Sequence, residues 1–289
     1  MKTISVGPST GLFSYLDIAS AMAAASPGDT ISLQSGYSNE AAVVTQSGIT
    51  VTGAASSLGI VLTIATGVTG LTIGGDAPIN VIDNANNNAI IGNSGNNVIA
   101  VTQGIDVVTG GAGSDRLVID YRNGGLVTGT SSSGFSAADG RSVTITGGTI
   151  EHFTILTDSS ADTISTGAGN DEIRAGEGAN TIAAGDGNNL VITGSGADTI
   201  TTGWGDDTIN AGDGANTIIA GAGDNTVTAG SGADTITLGG GDNRVEAGDG
   251  ANTITTAGGN DTVHGGAGST PSQRVAGRTI SMPTRAALM

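Results

Sequence analysis

Apolar and polar positions recur every nine residues from Thr157 onward, through twelve units without an insertion or deletion. Residues 193–201 read T-G-S-G-A-D-T-I-T, and residues 211–219 read A-G-D-G-A-N-T-I-I. The eighth position is Ile or Val in every unit, from Ile164 to Val263, and the sixth is Asp or Asn, from Asp162 to Asp261. Positions seven to nine predict a short strand that turns one β-branched side chain, at position eight, into a core. Positions two to six predict a turn, in which glycine takes a positive φ without a Cβ penalty. A single unit buries almost nothing, so units must stack, two to a coil. The pattern predicts an all-β parallel solenoid in which only position eight faces the core.

The first eighty residues follow another pattern. Residues 13–25 predict a helix with Leu16, Ile18, Ala19 and Ala23 on its apolar face, ended by Pro27, Gly28 and Asp29. Strand candidates follow at residues 30–33, 42–45, 49–52, 60–64, 71–73 and 79–82, separated by Gly and Ser. Met1 to Val6 alternates and predicts a further strand. Such a segment caps the open apolar end of a solenoid and blocks edge pairing.

Composition agrees with a thin, regular core. The chain has 51 glycines among 289 residues, without the Gly-X-Y period of collagen. Its aromatic residues are Phe13, Tyr15, Tyr37, Tyr121, Phe135, Phe153 and Trp204, too few for a conventional core of this size. With 26 acidic and 9 basic residues the net charge is −17, which excludes nucleic acid and an anionic membrane surface and favours cations. There is no cysteine, hence no disulfide and no thiolate metal site. No apolar run reaches membrane-spanning length, so membrane insertion is not expected. The N-terminus reads as mature protein, because Pro8 and Asp17 break the apolar stretch that a leader needs.

The nine-residue units resemble the repeats-in-toxin, or haemolysin-type, calcium-binding family, whose consensus is G-G-x-G-x-D-x-U-x. The resemblance runs through residues 157–268 and an earlier block with Asn88, Asn97, Asp106 and Asp115 nine apart, including Gly110-Gly111-Ala112-Gly113-Ser114-Asp115-Arg116-Leu117-Val118. It implies a right-handed parallel β-roll with calcium in the turns of both edges, and type I secretion without a cleaved N-terminal signal. The first eighty residues resemble the cap and first coils of right-handed parallel β-helix proteins of the pectate-lyase-like kind. The expected organisation is a cap with β-helix coils (1–80), a first nonapeptide block (81–118), an interruption (119–156), the main roll (157–270) and a basic tail (271–289). Asp115 and Asp162 are 47 residues apart, so the phase slips in the interruption.

The acids follow an order. One edge carries Asp162, Asn180, Asp198, Asn216, Asp234 and Asn252 at position six. Where that residue is Asp, position three is Ser159, Ser195 or Ser231; where it is Asn, position three is Glu177, Asp213 or Asp249. The other edge carries Asp171, Asp186, Asp206, Asp207, Asp224, Asp242 and Asp261. Every turn therefore holds a carboxylate, and with Asp106 and Asp115 these are the candidate ligands of several Ca2+ ions. Calcium takes about six to eight oxygens, and glycine-rich turns offer carbonyls beside the carboxylates. The alternative is an Asn-ladder solenoid with a solvated acidic surface.

No constellation for catalysis emerges. His152 and His264 are far apart and the basic residues are scattered. A uronan lyase or epimerase needs a base and cationic groups against the uronate, so the carbohydrate-active reading, with Tyr121 or His152 as base, is the alternative. Trp204 falls at turn position three and is expected to point outward. Thr columns through Thr163, Thr181, Thr199, Thr217, Thr235 and Thr253 raise ice binding as a further alternative. The sequence reads as a secreted, non-catalytic, calcium-binding structural or adhesive protein of the cell surface or matrix. Polysaccharide or cell-surface contact is a possible partnership, and head-to-tail filaments, joined through Arg274, Arg278 and Arg285, a possible assembly.

Overall fold

The structure, a computed structural model, describes residues 1–7, 14–147, 150–268, 272–275 and 280–282. Its fold is an all-β parallel solenoid, with one short helix among the described residues. Two compact units form, the first from Met1–Asp120 with Ser132–His152 and the second from Tyr121–Ser131 with Phe153–Met289.

In the first unit Thr3–Val6 pairs in parallel with Thr30–Leu33, and Ile4 lies opposite Ile31. The stack continues through Ile49–Gly53, Gly70–Gly75, Ala89–Ile91 and Ile105–Thr109. A second sheet runs through Ala41–Val44, Ile60–Ile64, Ile79–Ile82, Val98–Val101 and Arg116–Asp120. Within the expected interruption, Gly134–Ala137 and Ser142–Ile145 form an antiparallel hairpin whose second strand pairs with Ile105–Thr109. Buried Phe135 anchors it.

The expected helix is shorter than its apolar pattern. It spans Ile18–Ala24, and Asp17 caps it by accepting the Ser20 N–H at 2.6 Å. Ser14–Tyr15 pairs instead with Thr3–Val6, and Phe13 lies outside the described residues. The buried face is Ile18, Ala21 and Met22, whereas Leu16 is 80 % exposed, because it precedes the cap and the face begins only at Ile18.

The second unit repeats with a shift of eighteen residues. Ile200 lies opposite Ile182 on one side and Ile218 on the other. The facing sheet stacks Ile173, Val191, Ile209, Val227, Val245 and Val263. Each of these side chains is buried, worth about 1.5–3 kcal/mol when complete. Stacking continues beyond the repeat, with Ser272–Val275 on Thr253–Thr256 and Ile280–Met282 on Thr262–His264. Of Arg274 only the backbone strand is described, and Arg278 and Arg285 lie outside the described residues.

Position eight is not alone in the core. The side-chain period of two carries positions six, eight and the next position one to the same face. Asp198, Ile200 and Thr202 are buried, while Thr199 and Thr201 are exposed. Position one is Ala or Thr, as in Ala175, Ala211 and Thr202, except for buried Leu238. The turns stack equally tightly: Gly214 has φ +131°, and a Cβ there would lie 1.6 Å from the Gly196 carbonyl oxygen.

Candidate metal centres

The inward sixth positions build a hydrogen-bonded ladder along each edge of the second unit. On one edge the N–H of Asp162 donates to Asn180 Oδ1 (2.9 Å), Asn180 to Asp198 (2.7 Å), Asp198 to Asn216 (3.0 Å), Asn216 to Asp234 (2.9 Å) and Asp234 to Asn252 (2.9 Å). The other edge runs Asp171, Asn189, Asp207, Asn225, Asn243 and Asp261 at 2.9–3.1 Å. The first unit holds two such rungs, Asn88 N–H to Asp106 Oδ1 and Asn97 N–H to Asp115 Oδ1, both 2.8 Å. Every rung uses one side-chain oxygen. In the asparagines the second side-chain atom, Nδ2, turns toward the glycine turn of its own unit.

There Asn and Asp part. Asn189 Nδ2 donates to the carbonyls of Gly185 and Gly187, both at 3.0 Å. Asn216 Nδ2 reaches Gly212 (3.2 Å) and Gly214 (3.3 Å), and Asn225 Nδ2 reaches Gly221 (3.2 Å) and Gly223 (3.0 Å). A carboxylate has no hydrogen to donate. The Oδ2 atoms of Asp106, Asp115, Asp198, Asp207, Asp234 and Asp261 are buried without a hydrogen-bond partner among the described residues. A buried, unpaired acceptor is costly, more so when charged. Burial accordingly pushes the Asp106 carboxyl up to about 7 and that of Asp115 up to about 6, with Glu151 adding repulsion at Asp115. Asp198, Asp207 and Asp234 are raised for the same first cause, against the pull of the donated N–H and, at Asp207 first and Asp198 second, of the Thr202 and Thr193 hydroxyls.

Asp162 differs from these. Its Oδ1 accepts the Val127 N–H at 2.6 Å and its Oδ2 accepts the Thr157 hydroxyl at 2.5 Å. Burial still raises its carboxyl. Asp171 is buried and accepts the Phe153 N–H at 2.7 Å.

The remaining candidate acids face outward. Glu177 and Asp213 accept the N–H of Ser195 (2.7 Å) and Ser231 (2.9 Å) one coil on, as well as both serine hydroxyls. Asp249 accepts the Ala267 N–H at 2.8 Å, and Asp186 accepts that of Trp204 at 2.8 Å. Asp206, Asp224 and Asp242 form an exposed ladder, Asp224 N–H to Asp206 and Asp242 N–H to Asp224 at 2.7 Å. These bonds hold the Glu177 and Asp213 carboxyls below the usual range, through the serine hydroxyl first.

Among the described residues no group of three or more His, Cys, Asp or Glu side chains converges on one point. A cation at position six would draw on one carboxylate and several turn carbonyls, a donor set that fits calcium. The inward turn of position six was accessible from the sequence, because six shares the parity of eight. Trp204 is 75 % exposed, as its turn position predicts. His152 Nε2 bonds Ser114 Oγ at 3.0 Å, and His264 lies 3.1 Å from Glu246. Tyr121 is fully buried.

The model of the RTX calcium-binding nonapeptide repeat, in four copies, matches residues 86–118, 156–191, 184–218, 210–245 and 237–270. Together these segments cover just over half of the 289 residues. No curated protein and no solved structure matches the chain.

Proposed function

The chain belongs to the RTX calcium-binding nonapeptide repeat family, whose repeats bind several calcium ions per repeat region, and on that premise we propose that it is a non-catalytic structural protein whose coils are completed by metal. Calcium is held at the buried sixth-position carboxylates, above all those of Asp106, Asp115, Asp198, Asp207, Asp234 and Asp261. One observation carries this reading: each presents a buried Oδ2 that meets no hydrogen-bond partner of good geometry among the described residues, the hydroxyls of Thr193 and Thr202 being the only side-chain donors besides the ladder amides that bear on Asp198 and Asp207. A divalent cation satisfies that oxygen and the turn carbonyls beside it at once. Asp162 and Asp171 each stand at the head of one of the two inward columns, while Glu177, Asp186, Asp206, Asp213, Asp224, Asp242 and Asp249 add an outer field that concentrates cations.

In this reading the protein works outside the cell, exported by a type I route, as a stiff element of a surface or matrix. The net charge of −17 suits a calcium-rich exterior. No helix among the described residues is long and apolar enough to cross a membrane. Contact with polysaccharide and head-to-tail self-association belong to the same proposal. Titration of the chelated protein with calcium, followed by circular dichroism and light scattering, tests it. The expected result is a gain of β signal, with growth in particle size if the ends join. A β signal and melting temperature indifferent to calcium would overturn it, as would turnover of a uronate polymer by the purified protein.

A further inference from the structure

The amides of the sixth-position asparagines stand where a cation would. In the ladder, Oδ1 of Asn216 accepts the Asp198 N–H at 3.0 Å. That bond fixes which end of the amide is oxygen, so Nδ2 must face the turn. There it donates to Gly212 and Gly214, carbonyls of its own turn, and to Ala229 of the next coil at 3.2 Å. Asn225 and Asn243 repeat the arrangement: each reaches its own glycine carbonyls and also the Oδ1 of the next sixth position, Asn243 (3.1 Å) and Asp261 (3.0 Å). An amide nitrogen with two partly positive hydrogens thus occupies the space between the carbonyls. At the same sixth position Asp198, Asp207, Asp234 and Asp261 instead hold a buried Oδ2 that meets no amide and no other partner of good hydrogen-bond geometry, with only the Thr193 and Thr202 hydroxyls bearing on the first two.

We propose that asparagine at the sixth position is a built-in plug, so that calcium enters the second unit at the turns of Asp198, Asp207, Asp234 and Asp261 and is excluded from those of Asn180, Asn189, Asn216, Asn225, Asn243 and Asn252. This rests on the calcium reading and deepens it: one atom, Nδ2 or Oδ2, decides whether a turn takes metal. A carbonyl that accepts an amide N–H at about 3 Å cannot at the same time ligate an ion at ~2.3–2.6 Å from the same direction.

The alternation has an electrostatic reason. From Asp162 to Asn252, Asp and Asn strictly alternate along one edge. Neighbouring coils stack at ~4.8 Å, so two metal-bearing turns on that edge stand roughly 10 Å apart. That is about one Debye length at physiological salt. Divalent ions in every turn would face one another at half that distance, across buried backbone where screening is weak. The plugs keep each turn hydrogen-bonded while spacing the charge.

The test compares the full chain with D234N and N216D, loaded with calcium alone after chelation and measured by equilibrium dialysis and titration calorimetry. The plug predicts that D234N binds one ion fewer per chain and keeps its β signal. It predicts that N216D binds one ion more and depends more steeply on calcium for its β signal. If N216D folds only in calcium, its count in the folded state is still one higher. A wild-type protein that binds no calcium defeats the calcium reading itself. A wild-type protein that binds calcium, with D234N and N216D both unchanged in count, defeats the plug and leaves that reading standing.

Discussion

The backbone N–H of Asn216 donates to Oδ1 of Asp234 at 2.9 Å, and Oδ2 of that carboxylate meets no donor. One oxygen holds the coils in register, and the other is where the proposed function puts a cation. Chelation should therefore loosen the roll. With EDTA in excess, β signal and melting temperature should fall, because unpaired buried carboxylates and an outer field of like charge oppose stacking. Restored calcium should recover both. Scanning calorimetry with and without chelator checks this, and identical traces would leave the Asn ladder as the sufficient explanation of the fold.

The calcium-free protein should be more stable in mild acid than at neutral pH. Burial raises the Asp106 carboxyl to about 7 and that of Asp115 to about 6, above the value near 3.8 of an unfolded chain. A raised carboxyl binds its proton more tightly in the folded state. This stabilisation is complete below about pH 3.8, where the unfolded chain is protonated as well, and is lost as the pH rises through about 6 to 7. Melting temperatures in chelator should drop by several degrees between pH 5 and pH 8, with about 2–4 °C for each kcal/mol. In saturating calcium the slope should flatten. A melting temperature that rises with pH in chelator would reverse the assignment.

Ile200→Ala should cost about 2–5 kcal/mol, and Thr199→Asp about 0.5 kcal/mol or less. Ile200 is fully buried between Ile182 and Ile218, while Thr199 stands on the exposed face. Ile200→Asp should be worse than either, because its charge would be buried without a partner. Denaturant unfolding in calcium checks the order, and equal losses for Ile200→Ala and Thr199→Asp would invert the inside and outside of the sheet.

The sequence made the period, the strands and the stacking direction legible, because β-branched residues recur at a fixed spacing with nothing inserted. It also marked the early strands closely: residues 30–33 are the observed Thr30–Leu33, and residues 60–64 are Ile60–Ile64. It misjudged the depth of the core. A hydrophobic pattern registers Ile200 and overlooks Asp198, although both point inward, since burial of a polar residue depends on partners eighteen positions away. For the same reason the acids read as one set of ligands. Their division into inward columns at position six and outer acids at positions three and five follows the parity shared with position eight, which a reading for apolar residues passes over. The helix was overextended because its apolar pattern continues through Leu16, while the Asp17 cap decides where it starts.

Gly214→Ala should be among the most damaging small changes, and Gly240→Ala should be nearly silent. At Gly214 the backbone has φ +131° and a Cβ would meet the Gly196 carbonyl oxygen at 1.6 Å, backbone against backbone with nothing to yield. At Gly240 the nearest atom would be the Gly258 carbonyl oxygen at 3.5 Å, an ordinary contact, and the φ is not in the left-handed region. Thermal melts in calcium should show a loss of several kcal/mol for the first and under about 0.5 kcal/mol for the second. Two silent substitutions would mean that the turns are not stacked this closely.

The inward and outward acids should separate under mutation and salt. Asp224 accepts the Asp242 N–H at 2.7 Å on an exposed turn, while Asp207 is buried, its Oδ2 meeting no partner of good hydrogen-bond geometry. Asp224→Asn keeps that acceptor and removes one charge of the outer field. It should leave the number of bound ions unchanged and weaken calcium binding only slightly, and the difference should vanish at high ionic strength, where exposed charges are screened. Asp207→Asn keeps the rung to the Asn189 N–H, now 2.9 Å long, and removes the oxygen that would ligate. It should abolish one ion at any salt concentration. Calcium titrations of both variants at about 0.05 M and 0.5 M salt, within the range where the Debye length shrinks several-fold, read this directly. Loss of an ion in Asp224→Asn, with none lost in Asp207→Asn, would move the binding sites from the inner column to the outer ladder.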